Sequence, residues 1–133
     1  MKTIGYFDGT DSVLLTKLAT LGHGTIPLAN DYDRAGKMAN QIEPDEIDLI
    51  VGYLHKIIPP IKKDTGSKPT HMREYRGMKP IDLLYPAKAY DIPVIIIVPK
   101  GHHKDAKEIL GKAADFVEIV SPEELEETVL KFL

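Results

Sequence analysis

A repeated alternation of short apolar runs with segments of helical period most constrains the fold of this chain. Five runs combine β-branched or aromatic residues with flanking turn formers: residues 3–7, 25–29, 48–53, 93–98 and 116–120. Such continuous apolarity is typical of strands buried on both faces of a parallel sheet. The helical stripes between them comprise Leu14, Leu18 and Leu21, then Ala35, Met38, Ala39 and Ile42, then Ala106, Ile109, Leu110 and Ala113.

Strands that alternate with helices imply right-handed crossovers and a parallel sheet. We therefore predict one α/β domain over residues 1–133, a three-layer α/β/α sandwich with a five-stranded parallel sheet of order 2-1-3-4-5. Ser121 and Glu124 form a capping box that predicts the start of the last helix. Pro86 lies inside the helical segment 81–90, so this helix is either kinked or starts late, near Pro86.

A long insertion follows the third strand, because the interval to the fourth apolar run is about twice the others. We predict a loop at about residues 55–79. The segment 54–80 carries seven Lys or Arg residues against two acidic ones, whereas the rest of the chain holds ten basic and eighteen acidic residues. Three roles are compatible with such a loop. It forms a lid over an anionic ligand, or residues 56–79 form an arm that binds nucleic acid or an acidic partner. Alternatively, it is a solvated segment whose charge balances the acidic remainder of the chain. The predicted anion or partner contacts are Lys62, Lys63, Arg73 and Arg76.

Composition excludes several classes of site. The sequence has no Cys, which removes disulfides, thiolate catalysis and zinc–thiolate centres. The net charge of -3 gives no overall basic field for nucleic acid. No apolar stretch approaches the roughly 18 residues that span a bilayer, and the start MKTIGYFDG lacks the apolar core of a signal peptide. We therefore expect a cytoplasmic protein that does not contact membranes.

The predicted strand order places one crevice between strands 1 and 3, at their carboxyl ends. The candidate ligand-binding residues at this edge are Asp8, Thr10, Asp11, Ser12, Tyr53, His55, Lys100 and His102, with His103 beside them. An alternative is structural, since Asp and Ser are favoured in turns and helix caps, and Tyr53 is compatible with a packed aromatic at the end of a buried strand. The adjacent histidines lack helical ligand spacing, so no metal site is predicted.

Three segments repeat the same rhythm of strands and helices: LGHGTIPLANDYDRAGKMANQIEPDEIDLIV, YRGMKPIDLLYPAKAYDIPVIIIV and GKAADFVEIVSPEELEETVLKFL. Through them, nearly all of the chain outside the insertion resembles the receiver domain of bacterial response regulators. Receivers use an acidic pair, a phosphoacceptor Asp, a hydroxyl residue and a Lys. Asp8 matches one acidic position, whereas Tyr53, Val98 and Ile119 stand at the other three. The resemblance therefore implies a degenerate receiver that does not depend on phosphorylation.

The first loop, YFDGTDSVLLTK, has hydroxyl residues at Thr10 and Ser12. In this it is similar to the loop of a flavodoxin that holds the FMN phosphate at a helix N-terminus, where both residues match hydroxyl positions. Val13 and the leucines after it replace a Gly and a Thr of that motif. In IDLIVGYLHK, the resemblance implies that Tyr53 stacks on a flavin ring.

The leading hypothesis is a non-enzymatic, receiver-like regulatory or interaction domain that binds a protein partner or an anionic small molecule at the carboxyl edge of the sheet. The second hypothesis is an enzyme or cofactor carrier for a nucleotide or flavin phosphate, with Thr10 and Ser12 at the phosphate and Asp8 as acid or base. Nucleic-acid binding through the insertion ranks third. We expect no cofactor, with FMN and Mg²⁺ as the alternatives that the resemblances leave open.

Overall fold

The computed structural model describes residues 2–29, 36–57 and 79–133, and a parallel β-sheet lies at its centre. Six strands form this sheet in the described part of the chain: β1 (Thr3–Phe7), β2 (Gly24–Ala29), β3 (Lys37–Met38), β4 (Leu49–Tyr53), β5 (Val94–Ile97) and β6 (Val117–Val120). All neighbouring pairs are parallel, in the order β3-β2-β1-β4-β5-β6. The α/β class with a parallel sheet is therefore confirmed.

The edge strand β3 corrects the prediction of five strands and of a helix over the stripe that includes Met38 and Ala39. Lys37 and Met38 instead pair with Leu28 and Ala29 of β2, and a 3-10 turn, Ala39–Gln41, follows. Ala39 and Ile42 are buried as the stripe requires, but a strand and a turn bury them because the open edge of β2 offers unpaired backbone groups. Ala35 lies outside the described residues. Without β3, the remaining five strands stand in the predicted relative order.

The helices cover both faces of the sheet. They are α1 (Ser12–Thr20), α2 (Leu54–Ile57), α3 (Pro80–Leu83), α4 (Tyr85–Tyr90), α5 (His103–Leu110) and α6 (Leu125–Lys131). One core contains Ile50 and Ile96 together with buried residues of α3, α4 and α5. The opposite core contains Val51 and Ile95 together with α1 and α6. An ion pair between Lys17 of α1 and Glu126 of α6 also connects these two helices. Successive strand residues therefore enter different cores, as the pleat of a strand requires.

The predicted interruption at Pro86 and the capping box are confirmed, whereas the predicted burial of Leu21 and Ile109 is wrong. The helix around Pro86 is split, since α3 ends at Leu83 and α4 starts at Tyr85 with Pro86 in its first turn. The capping box is present, although the first turn after Ser121 is a 3-10 segment, Pro122–Glu124. In contrast, Leu21 is 54% exposed and Ile109 is 51% exposed. Leu21 comes after the last residue of α1, and the buried stripe of α5 consists of Ala106 and Leu110 alone.

The described helices include none that is both long and apolar enough to cross a bilayer.

A close approach between two central strands gives a first prediction about stability. A Cβ atom at Gly52 of β4 would lie 2.7 Å from Cδ2 and 3.1 Å from Cβ of Phe7, a buried residue of β1. Gly52→Ala should lower the free energy of unfolding by about 1–3 kcal/mol, because overpacking forces rigid neighbours apart. Chemical denaturation measures this change.

Gly24→Ala is the matched control for this substitution. Its added Cβ would meet nothing closer than Oγ1 of Thr3 at 3.9 Å, so the variant should retain the stability of the parent. Equal losses from the two substitutions would contradict the packing argument.

Candidate functional site

At the carboxyl ends of the strands, the chain leaves the neighbouring strands β1 and β4 in different directions. From β1 the chain crosses through α1 to β2, whereas β5 lies on the other side of β4. The segments that leave β1 and β4 therefore diverge, and in doubly wound folds this switch point forms the ligand crevice. The predicted order places the same two strands side by side, because the added strand β3 lies at the far side of the sheet, next to β2. A ligand site at this point stays a prediction.

The loop from β1 to α1 is built around a tight turn. Gly9 has a φ of 91°, a left-handed conformation that glycine adopts without strain. Thr10 is buried, and its Oγ1 donates a hydrogen bond to the carbonyl oxygen of Phe7 at 2.7 Å. Asp11 is the N-cap of α1, where its Oδ1 accepts a hydrogen bond from the Val13 N–H at 3.0 Å. Thr10 and Asp11 thus have structural contacts, and Ser12 is an exposed residue of the first helical turn.

An ion pair connects the two segments that flank the switch point. Asp8, directly after β1, has its Oδ2 3.8 Å from Nζ of Lys56, which belongs to the short helix α2 after β4. The side chain of Asp8 is 61% exposed and that of Lys56 only 20%. The sequence predicted Asp8 for this site but assigned Lys56 to a loop, whereas residues 54–57 are helical. The signal available in the sequence was the position of Lys56 only three residues after a buried strand.

Tyr53 and His55 lie at the same end of β4. Their ring centroids are 5.6 Å apart and the ring planes are inclined by 33°. Tyr53 is partly buried and packs against the core beneath α1 and α6, whereas His55 is exposed. The packed-aromatic alternative therefore describes Tyr53 well, and a stacking role for it stays a prediction.

The third segment at this edge joins β5 to α5. Tyr53 and Ile97 are register partners, so the chain after β5 emerges beside the chain after β4. Lys100 and His102 are exposed here. His103 instead places its Nε2 2.9 Å from the carbonyl oxygen of Val98. Its ring is thereby fixed to the protein's own backbone.

Other predicted features fall outside this arrangement. Lys62, Lys63, Arg73 and Arg76 lie outside the described residues. Within residues 2–29, 36–57 and 79–133, no three His, Asp or Glu side chains are grouped to hold a metal ion.

A groove of about 340 Å³ lies at the opposite, amino edge of the sheet. Asp45, Asp48, Tyr90, Asp91 and Ile92 contribute to its lining, at the starts of β4 and β5. Asp48 is engaged there, because its Oδ2 accepts a hydrogen bond from the Thr3 N–H at 2.8 Å. The sequence did not predict this groove, since neither segment has a recognisable motif.

Searches against models of protein families and against characterised proteins gave no significant match.

Glu46, near the amino-edge groove, gives a prediction about pH. The backbone N–H of Glu43 donates to its Oε1 at 2.9 Å and the Lys37 ammonium donates to its Oε2 at 3.0 Å. These contacts lower the pKa of Glu46 below its usual 4.5. A lowered pKa means that the stabilisation is present above pH 4.5 and is lost as the pH falls through the lower folded-state value.

Glu46→Gln should therefore be less stable than the parent at neutral pH, because Gln keeps one acceptor but loses the ion pair. The difference should shrink as the pH falls from 7 to about 3.5, as measured by urea denaturation. Glu43→Gln removes a neighbouring carboxylate that makes neither of these bonds and is the control. A difference that stays constant with pH would contradict the assignment.

Proposed function

We propose that this chain is a non-enzymatic, receiver-like binding domain whose carboxyl-edge crevice takes an anionic group of a small molecule or of a protein partner. The observation that carries the proposal is the position of Lys56 at the switch point, where it pairs with Asp8 of the neighbouring segment. A cation held where doubly wound folds bind their ligands is suited to a phosphate or a carboxylate.

The neighbouring segments support an anionic ligand. Lys100 and His102 are exposed at the same edge, one strand away from Lys56. The sequence that continues from α2 is strongly basic, with seven Lys or Arg against two acidic residues over 54–80. Among the described residues, Lys56 and Lys100 offer an anion two ammonium groups at this edge, although the whole chain is acidic.

The ends of the strands argue against phosphoryl transfer. The half-buried Tyr53 ends β4, where a receiver has its phosphoacceptor Asp. Val98 follows β5 and Ile119 lies within β6, where receivers have a hydroxyl residue and a Lys. The acceptor carboxylate, the hydroxyl group and the Lys of a receiver are therefore missing from these three described positions. This supports a role in binding over receiver-type phosphoryl transfer.

The alternative of a nucleotide or flavin phosphate in the first loop has less support. The hydroxyl group of Thr10 donates to Phe7, and the carboxylate of Asp11 occupies the N–H of Val13 at the start of α1. A phosphate at that position would compete with a negative charge that is already in place.

Lys56→Gln tests the proposed site. The variant should bind inorganic phosphate or an acidic peptide about tenfold more weakly, since a hydrogen bond to a charged group contributes roughly 1.5–3 kcal/mol and 1.4 kcal/mol is a factor of ten. NMR titration of the parent and the variant measures the affinities. Lys88→Gln on α4 removes one exposed positive charge from another part of the fold and is the matched control.

The probes separate the possible sources of the anion. Phosphate binding alone indicates a small ligand, whereas binding of an acidic peptide alone indicates a protein partner. Equal affinities of the parent and Lys56→Gln for both probes would refute the site. Binding of a single-stranded oligonucleotide alone would favour the nucleic-acid alternative instead.

Incubation with acetyl phosphate and Mg²⁺ should leave the intact mass unchanged, because Tyr53 replaces the acceptor carboxylate. Mass spectrometry measures this directly. A stoichiometric gain of one phosphoryl group that hydroxylamine removes would show that the domain is an active receiver.

A further inference from the structure

We infer that Asp8 is an internal counter-ion that occupies Lys56 in the free protein and limits the affinity of the crevice for anions. This inference rests on the proposed function, and it assigns to Asp8 a role opposite to that of a ligand-binding residue. An incoming phosphate or carboxylate competes with the Asp8 carboxylate for the same ammonium group.

The geometry of the pair identifies Asp8 as the partner that gives way. The separation of 3.8 Å is an ion pair without a direct hydrogen bond, so a ligand oxygen can approach Nζ more closely than Asp8 does. Lys56 is 20% exposed and lies on a helical turn, whereas Asp8 is 61% exposed and lies in a loop. Lys56 is therefore the more restrained partner of the pair, whereas the exposed Asp8 carboxylate can turn into solvent.

The loop also has room for this movement. More than half of the Asp8 side chain already faces solvent, so it can rotate without displacing a packed neighbour. Since the next anchor of the loop is Thr10, bonded to Phe7, the Asp8 side chain can rotate away without disturbing α1.

The electrostatic consequence has a definite sign. When an anion binds Lys56, Asp8 loses its attraction to the cation and repels the ligand at short range. Removal of the Asp8 charge should therefore strengthen binding, by about two- to fivefold for an exposed pair of this kind. The gain should be larger for a dianion than for a monoanion, because repulsion scales with charge. It should also diminish at high ionic strength.

The opposite role predicts the opposite sign. If Asp8 instead positions Lys56 for the ligand, removal of its carboxylate leaves the ammonium less ordered and weakens binding. The direction of the change in affinity thus distinguishes a competing counter-ion from a positioning residue.

The experiment compares Asp8→Asn with the parent by NMR titration of inorganic phosphate and of acetate, at low and high NaCl. Asp115→Asn is the control, because it makes the same change in net charge at an exposed position before β6, at the other edge of the sheet. We expect tighter phosphate binding by Asp8→Asn at low salt, a smaller gain for acetate, and little change for Asp115→Asn. The parent protein can also bind phosphate too weakly to measure. In that case, measurable binding by Asp8→Asn that is lost in the double variant Asp8→Asn/Lys56→Gln would support the inference.

Equal or weaker phosphate binding by Asp8→Asn would overturn the inference and leave the proposed function intact, provided that Lys56→Gln still weakens the parent. An equal gain from Asp115→Asn would also overturn it, since the effect would then come from net charge. Phosphate binding that is insensitive to Lys56→Gln, or absent from both the parent and Asp8→Asn, would refute the proposed function together with the inference.

Discussion

Burial of β4 and β5 on both of their faces is the constraint on which the other features of this fold depend. Ile50 and Ile96 enter one core, whereas Val51 and Ile95 enter the other. Helices must therefore cover both sides of the sheet, and polar side chains are excluded from the interior of these two strands. The candidate site and the groove described above accordingly lie where β4 and β5 end and begin.

Five of the six described strands could be predicted from sequence because each is a short apolar run with flanking turn residues, and the crossover rules then order them. The structure of the region after Gly36 could not be predicted in this way. The spacing of Met38, Ala39 and Ile42 is compatible with a helix as well as with a strand followed by a turn. The deciding factor was the open edge of β2, a long-range pairing opportunity with no local signal. Asp8 was found from its place after a strand, whereas its contact with Lys56 depends on the juxtaposition of β1 and β4.

The two ends of the strands differ in charge. The groove at the amino edge is lined by Asp45, Asp48 and Asp91, whereas the carboxyl edge carries Lys56 and Lys100 beside the carboxylates of Asp8 and Asp11. The carboxyl edge therefore offers an anion two ammonium groups, whereas the lining of the amino-edge groove offers it three carboxylates. The same polarity explains how a domain with a net charge of -3 remains compatible with an anionic ligand.

The short edge strand β3 has a consequence for the behaviour of this protein at high concentration. An exposed sheet edge is a template on which other chains add strands, and long, flat, apolar edges promote aggregation. Here β3 offers only the two residues Lys37–Met38, and Lys37 carries a charge that is paired with Glu46. The other edge strand, β6, has the exposed carboxylate of Glu118 at its centre. Both edge strands are thus poor templates for the addition of strands from other molecules. We expect this to disfavour amyloid-like assembly of the apolar strands between them.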